Sequence, residues 1–581
     1  MITTSRLPAS PALVHAPVND RIVLAPATIA DREEIYRLRH QVYATELHQH
    51  TPNPQSRLTD SLDPHNTYLV ARIRGTLAGF ISLTPPTAPA YSIDKYIDRN
   101  DLPFACDASL YEVRLLTVLP AFRGCNLATL LMYAAFRWVE SHGGTRIVAI
   151  GRREVLDLYL KAGLKPFGRS VRSGAVDYEF LHMTIAEGRA NLSTLSDLFT
   201  RMEERTDWRL AFPFRQPASC FHGGAFFDAI GDDFATLERH HTIINADVLD
   251  AWFPSAPGVL ETLHAHLPWL LRTSPPTDCH GVITAVATAR GVSPANILPG
   301  AGSSDLIFRA LRHWLTPASH VLILDPTYGE YAHVLEKVIG CTVDRLTLRR
   351  EDNYAVDLDR LAAALADDYD LVVLVNPNSP TGRHIPRERL IEILRHAPQT
   401  TRIWVDETYV DFTGPDQTLE PFAAASENII VCKSLSKVYA LSGARAAYLC
   451  AGAHQLEALR AITPPWVIGL PTQVAVVRAL AASDYYTARW AETHVLRLDL
   501  ASALGERLGW EVLPGIANFL LCHLPPDGPR ASEVVRAARQ HGLFLRDAAL
   551  MGSGLGTHAL RIAVKDAATN TRMLEILAAG R

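Results

Sequence analysis

The chain has 581 residues, of which 48% are hydrophobic and 20% are charged, and its formal net charge is −5 at pH 7. This composition excludes a disordered or fibrous protein, and the charge balance argues against binding nucleic acid or an anionic membrane through bulk charge. The sequence contains no apolar run of membrane-spanning length and no CxxC pair. We therefore expect a cytoplasmic protein without a metal site or a disulfide framework. At ~150 residues per domain, the length predicts about four structural units.

The first part of the chain divides into a tail and a domain. Residues 1–20 are rich in Pro, Ala and Ser and lack the pattern of a secretion signal, so we expect a flexible tail there. Short helical and strand-like runs then alternate over residues 21–190. Within them, EVRLLTVLPAFRGCNLATLLMYAAF, from Glu112 to Phe136, predicts a strand, a turn and a helix. The free N–H groups and the dipole at the start of a helix favour anions, so this turn is a natural site for a pyrophosphate.

This stretch resembles the acyl-CoA-binding motif of GNAT N-acyltransferases, which reads R-x-x-G-x-G/A after such a strand. The resemblance covers about residues 21–185 and implies that the domain uses an acyl-CoA, such as acetyl-CoA, as co-substrate. It places a base at Glu112 and a tyrosine near the thioester sulfur at Tyr159. Asn126 stands at the middle glycine position, and asparagine tolerates a positive φ better than most residues. The residues that the resemblance assigns to the acyl-CoA site are Arg123, Gly124, Cys125, Asn126, Leu127 and Ala128, together with Glu112 and Tyr159.

The sequence pattern changes over residues 191–240, where the hydrophobic periodicity weakens. This region holds an amphipathic piece and then the aromatic, glycine-bearing segment CFHGGAFFDAIGDDF. A simple linker would be less aromatic. We therefore expect a connector that packs against another part of the chain.

From residue 241 onward, short apolar runs alternate with turns and amphipathic helices. Runs such as VLILD, LVVLV, IWVDE and IIVCK are typical of strands that are buried on both faces. We predict an α/β domain with a mostly parallel sheet and helices on both faces. Its large part would span about residues 286–465, and a smaller α+β part would comprise about residues 241–285 and 466–581.

Polar residues follow each apolar run, at the edge of the sheet where ligands bind in such folds. Tyr328 follows VLILD, Ser379 follows LVVLV, Asp406 ends the next strand, and Lys437 follows IIVCK. A lysine can form a Schiff base with an aldehyde, a carboxylate can hold a pyridine nitrogen protonated, and an aromatic ring can stack on a flat cofactor. Hydroxyl groups and an arginine suit a phosphate monoester. These are the requirements of catalysis with pyridoxal phosphate.

Residues 241–578 resemble the class I/II aminotransferases of fold type I, within them most closely the histidinol-phosphate aminotransferase branch. The resemblance implies pyridoxal 5′-phosphate as cofactor, amino acid and oxo-acid substrates, and a homodimer formed through this domain. It makes Lys437 the Schiff-base lysine and Asp406 the partner of the pyridine nitrogen. Tyr409 would reach the ring hydroxyl, Tyr328 would stack on the cofactor, and Arg561 would bind the substrate carboxylate. The other cofactor-binding residues that it implies are Gly302, Ser303, Ser304, Asn378, Ser379, Ser434, Ser436 and Arg445.

Two positions depart from the family pattern. Ser379 stands where the family usually has an asparagine that hydrogen-bonds the ring oxygen of the cofactor. Ser274 occupies the position of a tyrosine that reaches the phosphate of the neighbouring subunit. The substrate segment INADVLDAWFPSAP also matches only partly. The cofactor side of the site is therefore retained, whereas the substrate side differs.

These features predict a bifunctional enzyme. One domain would transfer an amino group between an amino acid and an oxo compound, and the other would acylate the amine that is produced or consumed. A decarboxylase or another Cα-lyase stays open, with a degenerate GNAT domain that binds a ligand or docks. A cofactor-binding sensor is a further alternative, although residues 1–190 contain no basic cluster suited to DNA. Acyl-CoA-condensing enzymes of this fold stack a histidine on the cofactor and read DExH, whereas this chain has Tyr328 and DETY.

Overall fold

The chain forms two compact units in the computed structural model, which describes residues 21–193, 195–215 and 222–579. The first unit is Met1–Gln216 and the second is Pro217–Arg581. The tail predicted for residues 1–20 lies outside the described residues. Among the residues that are described, no helix combines the length and the apolar character that crossing a membrane requires.

The first unit is built on one eight-stranded sheet with helices packed against it. Its helices are α1 (Ile29–Arg39), α2 (Leu127–Ser141), α3 (Leu156–Lys161), α4 (Ile185–Ser193) and α5 (Ser196–Glu204). Its strands are β1 (Ile22–Pro26), β2 (Thr67–Ile73), β3 (Thr76–Thr84), β4 (Leu110–Val118), β5 (Arg146–Arg152), β6 (Lys165–Ser173), β7 (Val176–Thr184) and β8 (Thr206–Trp208). They are ordered β6–β7–β5–β4–β3–β2–β1–β8. Neighbouring strands are antiparallel except in the pairs β4–β5 and β1–β8, which are parallel.

The parallel strands β4 and β5 part halfway along their length. Their pairing ends at Val113 and Ala149, although β4 continues to Val118 and β5 to Arg152. Leu115 lies just beyond this point with a φ of 56°, and the register of β4 against β3 shifts next to it. A residue in the left-handed region bends a strand and interrupts its pairing. Beyond the last pair, β4 and β5 separate and leave a gap between them, which we call the wedge. The loop that leads into α2 lies next to this gap.

The connector predicted for residues 191–240 is divided between the two units. Its first part folds into the first unit, because α5 buries Phe199 and Met202 in the core and β8 pairs with β1. Its second part, from His222 onward, belongs to the second unit and contains α6 (Phe226–Ile230). The amphipathic spacing in α5 supplies the apolar face that makes this packing favourable.

The second unit contains a seven-stranded sheet and a smaller four-stranded sheet. The large sheet is ordered β10–β16–β15–β14–β13–β11–β12, and every neighbouring pair is parallel except those made by β16. The small sheet is ordered β17–β18–β21–β20 and is antiparallel, and β19 pairs with β9. These strands are β9 (Ile244–Asn245), β10 (Ile297–Gly300), β11 (His320–Asp325), β12 (Thr342–Thr347), β13 (Leu371–Val375), β14 (Arg402–Asp406), β15 (Ile429–Ser434), β16 (Ala447–Cys450), β17 (Glu511–Val512), β18 (Phe519–His523), β19 (Leu543–Phe544), β20 (Arg546–Asp547) and β21 (Ala559–Ala563).

Helices cover both faces of the large sheet, as the sequence predicts. In β13, Val372 and Leu374 belong to one hydrophobic cluster, whereas Val373 and Val375 belong to another on the opposite face. The four apolar runs are confirmed as strands, because burial on both faces leaves no polar alternation. The helices are α7 (Pro257–Arg272), α8 (His280–Arg290), α9 (Ser303–Trp314), α10 (Gly329–Ala332), α11 (Leu358–Leu365), α12 (Arg387–Leu394), α13 (Glu420–Ala424), α14 (Ala453–Ala461), α15 (Leu470–Leu480), α16 (Ser483–Leu508), α17 (Ala531–Gln540) and α18 (Ala567–Ala579).

A buried group of charges supports β15. The amine of Lys433 is fully buried, 3.0 Å from Asp411, 3.8 Å from Glu407 and 3.7 Å from Glu420. Arg290 lies 3.2 Å from Asp411 and 3.4 Å from Glu420. Burial raises the pKa of Glu407 to about 7, although the charge of Lys433 acts in the opposite direction. The two cations therefore offset carboxylates that no solvent reaches, and the loss of one cation leaves buried charge uncompensated.

We predict that Lys433→Met destabilises the second unit by about 3–5 kcal/mol, because removing one member of a buried ion pair leaves its partners unpaired. Pulse proteolysis in urea measures the free energy of unfolding of that unit within the full chain. Lys337→Met changes an exposed lysine of the same unit and is the matched control, expected to alter the stability by less than about 0.5 kcal/mol. Equal stability of the two variants would contradict this account.

Candidate active sites

The carboxyl ends of β11, β13, β14 and β15 lie at one edge of the large sheet, and the predicted site residues follow them. The side chains are close enough to influence one another. Asp406 raises the pKa of both Tyr328 and Tyr409, while Arg561 lowers that of Tyr409, in each case after the larger effect of burial. In a parallel sheet with helices on both faces, the polar residues that follow the strands lie at the same edge of the sheet. The structure therefore gathers residues that are up to about 230 positions apart in the sequence into one site.

Asp406 ends β14 as a buried carboxylate with fixed hydrogen bonds. Its Oδ1 accepts from the backbone N–H of Thr408 at 2.9 Å and from the Thr408 hydroxyl at 2.6 Å, and its Oδ2 accepts from the hydroxyl of Tyr331 at 2.7 Å. The indole N–H of Trp404 in turn donates to the Tyr331 hydroxyl at 2.8 Å. Burial raises the pKa of Asp406, whereas these donors lower it. The carboxylate is thus held in one orientation, ready to accept a proton or a charged N–H.

Lys437 is half-buried and paired with a carboxylate. Its Nζ donates to Oδ1 of Asp250 at 2.9 Å, and the amine of Lys565 lies nearby, 3.4 Å from the backbone oxygen of Asp250. Burial lowers the pKa of Lys437, and the charges of Arg445 and Arg561 lower it further, while Asp250 raises it. Burial also lowers the pKa of Lys565 to about 8. A lysine with a depressed pKa is a better nucleophile near neutral pH.

The start of α9 forms a cradle for an anion. Gly302 precedes the helix with a φ of 91°, and a Cβ at this position would lie 2.6 Å from Nη2 of Arg445. The arginine therefore lies directly against the backbone at the helix N-terminus, where the N–H groups of Ser303 and Ser304 are unpaired by the helix. Ser436 donates its backbone N–H to the Ser434 hydroxyl at 3.3 Å. Both of these serines are buried at the end of β15.

Arg561 lies in β21 and is buried against the same site. Its Nη1 donates to the hydroxyl of Ser379 at 3.2 Å, and its Nη2 donates to the backbone oxygen of Asp247 at 3.0 Å. Burial and the charge of Arg546 lower its pKa to about 10. Arg546 itself is held by the carboxylate of Asp247 at 2.6 Å. Ser379, which replaces the expected asparagine, therefore hydrogen-bonds the arginine proposed for the substrate carboxylate.

Three further residues that the sequence analysis singled out in this unit are Tyr409, Asn378 and Ser274. Tyr409 is buried, with its ring edge-on to Phe519 at 5.3 Å between centroids. The amide of Asn378 donates to the backbone oxygen of Pro326 at 2.9 Å and supports the turn that carries Tyr328. Ser274 is exposed between α7 and α8.

Two acidic residues and a histidine were not predicted by the sequence. Oε2 of the fully buried Glu330 accepts from the hydroxyls of Tyr328 at 2.6 Å and Ser304 at 2.9 Å, whereas its Oε1 has no hydrogen-bond partner. His222 lies 3.5 Å from Glu330, so the aromatic connector segment reaches the site. The second acidic residue that the sequence did not predict is Asp250, which pairs with Lys437. The only sequence signals were the spacing of Glu330 two residues after Tyr328 and the place of Asp250 in the substrate segment.

The loop before α2 in the first unit has the geometry that the resemblance implies. Gly124 has a φ of 88° with open space around it, and Asn126 adopts the left-handed conformation with a φ of 59° at the start of α2. Arg123 donates to Glu46 at 2.8 Å. The two residues in the left-handed region turn the chain sharply just before α2, where the first N–H groups of the helix have no partner within it.

A cavity of 580 Å³ lies at the wedge between β4 and β5. The predicted residues Arg123, Gly124, Asn126, Leu127, Ala128 and Tyr159 line it. Cys125 is exposed and does not line it, and neither does Glu112. Glu112 is fully buried and accepts hydrogen bonds from the backbone N–H groups of Ser92 at 2.7 Å and Ile93 at 3.0 Å. It therefore anchors a turn, and the structure does not bring it to the place of the predicted base.

The comparisons with known proteins divide along the same units. Residues 271–579 match the family described as aminotransferase class I and II, and residues 32–164 match the acetyltransferase (GNAT) family, which confirms both resemblances. Histidinol-phosphate aminotransferase 2 of Ralstonia nicotianae is 30% identical over 258 residues, which cover 44% of this chain and 68% of that protein. The solved structure of histidinol-phosphate aminotransferase from Sinorhizobium meliloti in complex with pyridoxal-5′-phosphate is similar with a TM-score of 0.53 and 24% identity, over 64% of this chain and 95% of that chain. L-threonine-O-3-phosphate decarboxylase from Porphyromonas gingivalis shares the fold, with a TM-score of 0.51 and 21% identity over 58% of this chain and 98% of that chain.

We predict that Asp250→Asn lowers the pKa of Lys437 by about one unit or more, because a carboxylate at this distance favours the charged amine. NMR titration of the ¹³C-methylated lysines of the apo-protein measures this value, and Lys437→Arg assigns the signal. The exposed Lys337 provides an internal reference whose titration should not move. An unchanged or increased pKa of Lys437 would show that Asp250 does not stabilise the charged amine.

Proposed function

Because this chain belongs to the aminotransferase class I and II family, we propose that its second unit transfers an amino group between an amino acid and an oxo compound with pyridoxal 5′-phosphate. The observation that carries the proposal is the half-buried Lys437, which has a lowered pKa and lies near Arg445 and Arg561. A reactive amine beside two anion-binding groups suits a substrate carboxylate and a phosphorylated aldehyde.

The residues that are present fit this cofactor. The contact between Gly302 and Arg445 leaves no room for a side chain, as expected for a backbone that approaches a phosphate closely. Asp406 offers a buried carboxylate to a ring nitrogen, and Tyr328 offers an aromatic face at the end of β11. The cofactor, when bound, supplies a ring that withdraws electrons from the substrate Cα.

The protein's own groups would then divide the work of proton transfer and orientation. The Lys437 amine would bind the aldehyde and later accept the proton from the substrate Cα and return it. Asp406 would face the ring nitrogen, and the hydrogen bonds that Thr408 and Tyr331 donate to it would favour its charged form against the effect of burial. Arg561 would grip the substrate carboxylate bidentately after releasing Ser379.

We propose that the first unit is an acyl-CoA-dependent N-acyltransferase. The match to the GNAT family, the left-handed Asn126 and the cavity at the wedge between β4 and β5 support this. The amine nitrogen of an acceptor would attack the thioester carbonyl, so that a C–N bond forms, the C–S bond breaks and the coenzyme leaves as a thiol. Glu112 is removed from this scheme, because its carboxylate is occupied by the turn at Ser92.

The second unit also carries a surface suited to a homodimer. Leu260, Leu267 and Leu271 lie on one side of α7, because their spacing of seven and four residues brings them to one helical face. Their exposed fractions are 39%, 40% and 71%, which is high for three leucine side chains on one helical face. We propose that this leucine face of α7 pairs with a second copy of the chain.

Lys437→Ala tests the transaminase proposal. We expect the visible absorbance of the cofactor-loaded protein to change and turnover to fall by about 10²–10⁴-fold, because the base that moves the Cα proton is absent. Absorbance spectroscopy and a mass-spectrometric screen of amino acid donors provide the readouts, and Lys337→Ala is the control. Wild-type protein that stays colourless after cofactor addition would refute the proposal. Release of carbon dioxide without formation of an oxo acid would favour the decarboxylase instead.

Leu267→Asp tests the dimer. We expect the variant to be monomeric at concentrations at which the wild type is dimeric, because a carboxylate would be buried in an apolar contact. Light scattering after size exclusion measures the mass. Leu550→Asp changes a leucine of the second unit that is 80% exposed outside α7 and should leave the mass unchanged. A monomeric wild type, or a dimeric Leu267→Asp variant, would rule out this interface.

A further inference from the structure

A second cavity, which we call the apolar chamber, lies in the first unit. It has a volume of 340 Å³ and lies among α2, α3, α4, α5 and the wedge of β4 and β5. Its wall is almost wholly hydrophobic and includes Met132, Phe136, Leu158, Leu192 and Phe199. Protein interiors normally contain few voids larger than a water molecule. A chamber of this size therefore indicates space for a ligand.

At the open end of the wedge, the apolar chamber meets the 580 Å³ cavity lined by Arg123, Gly124 and Asn126, which we call the coenzyme cavity. Seven residues line both cavities, so the two spaces share a wall at the point where β4 and β5 part. Tyr159, which the resemblance places near the thioester, is among them. The shared residues are Arg114, Leu115, Leu116, Thr129, Ile150, Leu158 and Tyr159.

The two cavities differ in chemistry. The coenzyme cavity contains cationic side chains, including Arg39, Lys95, Arg123 and Arg152, which suit the phosphates of a coenzyme. The apolar chamber offers no such partners beyond Arg114 and Lys161 at its border. An apolar cavity of about 150 Å³ is already large enough to stay dry and to bind benzene. The apolar chamber is more than twice that size, which an acetyl group alone would leave mostly empty.

We propose that the apolar chamber holds the alkyl chain of the acyl donor, so that the first unit uses an acyl thioester several carbons longer than acetyl. This inference rests on the proposed acyltransferase function. The thioester would lie near Tyr159, with the coenzyme in the polar cavity and the chain in the apolar one. Each buried methylene contributes about fourfold to the affinity until the chamber is filled.

The test measures the binding of coenzyme A and of acyl-CoAs from acetyl to dodecanoyl to the full-length protein by calorimetry. Leu192→Trp fills the chamber and Met132→Ala enlarges it, and neither residue lines the coenzyme cavity. Leu192→Met conserves the volume and is the matched control. We expect the wild-type affinity to rise about fourfold per methylene to an optimum. The optimum should move to shorter chains in Leu192→Trp and to longer chains in Met132→Ala, while the affinity for acetyl-CoA stays within about twofold because its short chain leaves most of the chamber empty.

The other outcomes separate this inference from the function on which it rests. Equal affinity for all chain lengths, or variants that weaken every chain length alike, would overturn the apolar chamber and leave the acyltransferase proposal intact. Octanoate that binds as tightly as octanoyl-CoA would show that the chamber serves a free fatty acid, which also overturns the inference. Failure of both coenzyme A and acetyl-CoA to bind would overturn the acyltransferase proposal itself and the chamber with it.

Discussion

The ion pair between Lys437 and Asp250 is the interaction on which the electrostatics of the candidate site in the second unit depend. The half-buried amine of Lys437 follows the end of β15, and its burial lowers its pKa. Asp250 restores part of the preference for the charged form from a distance of 2.9 Å, while Lys565, Arg445 and Arg561 surround the pair with further positive charge. The site therefore has more cations than its own carboxylates neutralise. Such a site favours ligands that bring negative charge, as carboxylates and phosphates do.

A second set of charges behind β15 supports this arrangement. Strand β15 places Lys433 in a fully buried cluster of carboxylates, and Lys437 follows three residues after the end of that strand, where its amine pairs with Asp250. The amine of Lys433 is enclosed by the fold, whereas that of Lys437 is partly accessible. The surroundings of the two amines differ, because the Lys433 amine lies near three carboxylates and the Lys437 amine lies near one. Two lysines four residues apart, one inside β15 and one beyond its end, thus have different surroundings.

Much of the second unit could be predicted because strands buried on both faces appear as continuous apolar runs and because their polar ends meet at one edge. The positions of Lys437 and Asp406 follow from that pattern, whereas Arg561 lies within β21 of the small sheet and was identified through the resemblance alone. The contacts across strands do not follow from it, since no local pattern relates Tyr331 to Asp406 or His222 to Glu330. In the first unit, the left-handed Leu115 interrupts the alternation of β4, so the sequence cannot assign the face on which Glu112 lies. The three-residue strand β8 is too short to have a period at all.

That short strand has a consequence for the edge of the first sheet. Without β8, the backbone of β1 would form an open edge of the sheet, and open edges recruit strands from other molecules. The N–H of Ile22 instead donates to the backbone oxygen of Arg205, and the oxygen of Leu24 accepts from the N–H of Arg209. The segment from Arg205 to Arg209 thus covers this edge of the GNAT-like sheet. Loss of β8 would be expected to promote aggregation of the first unit.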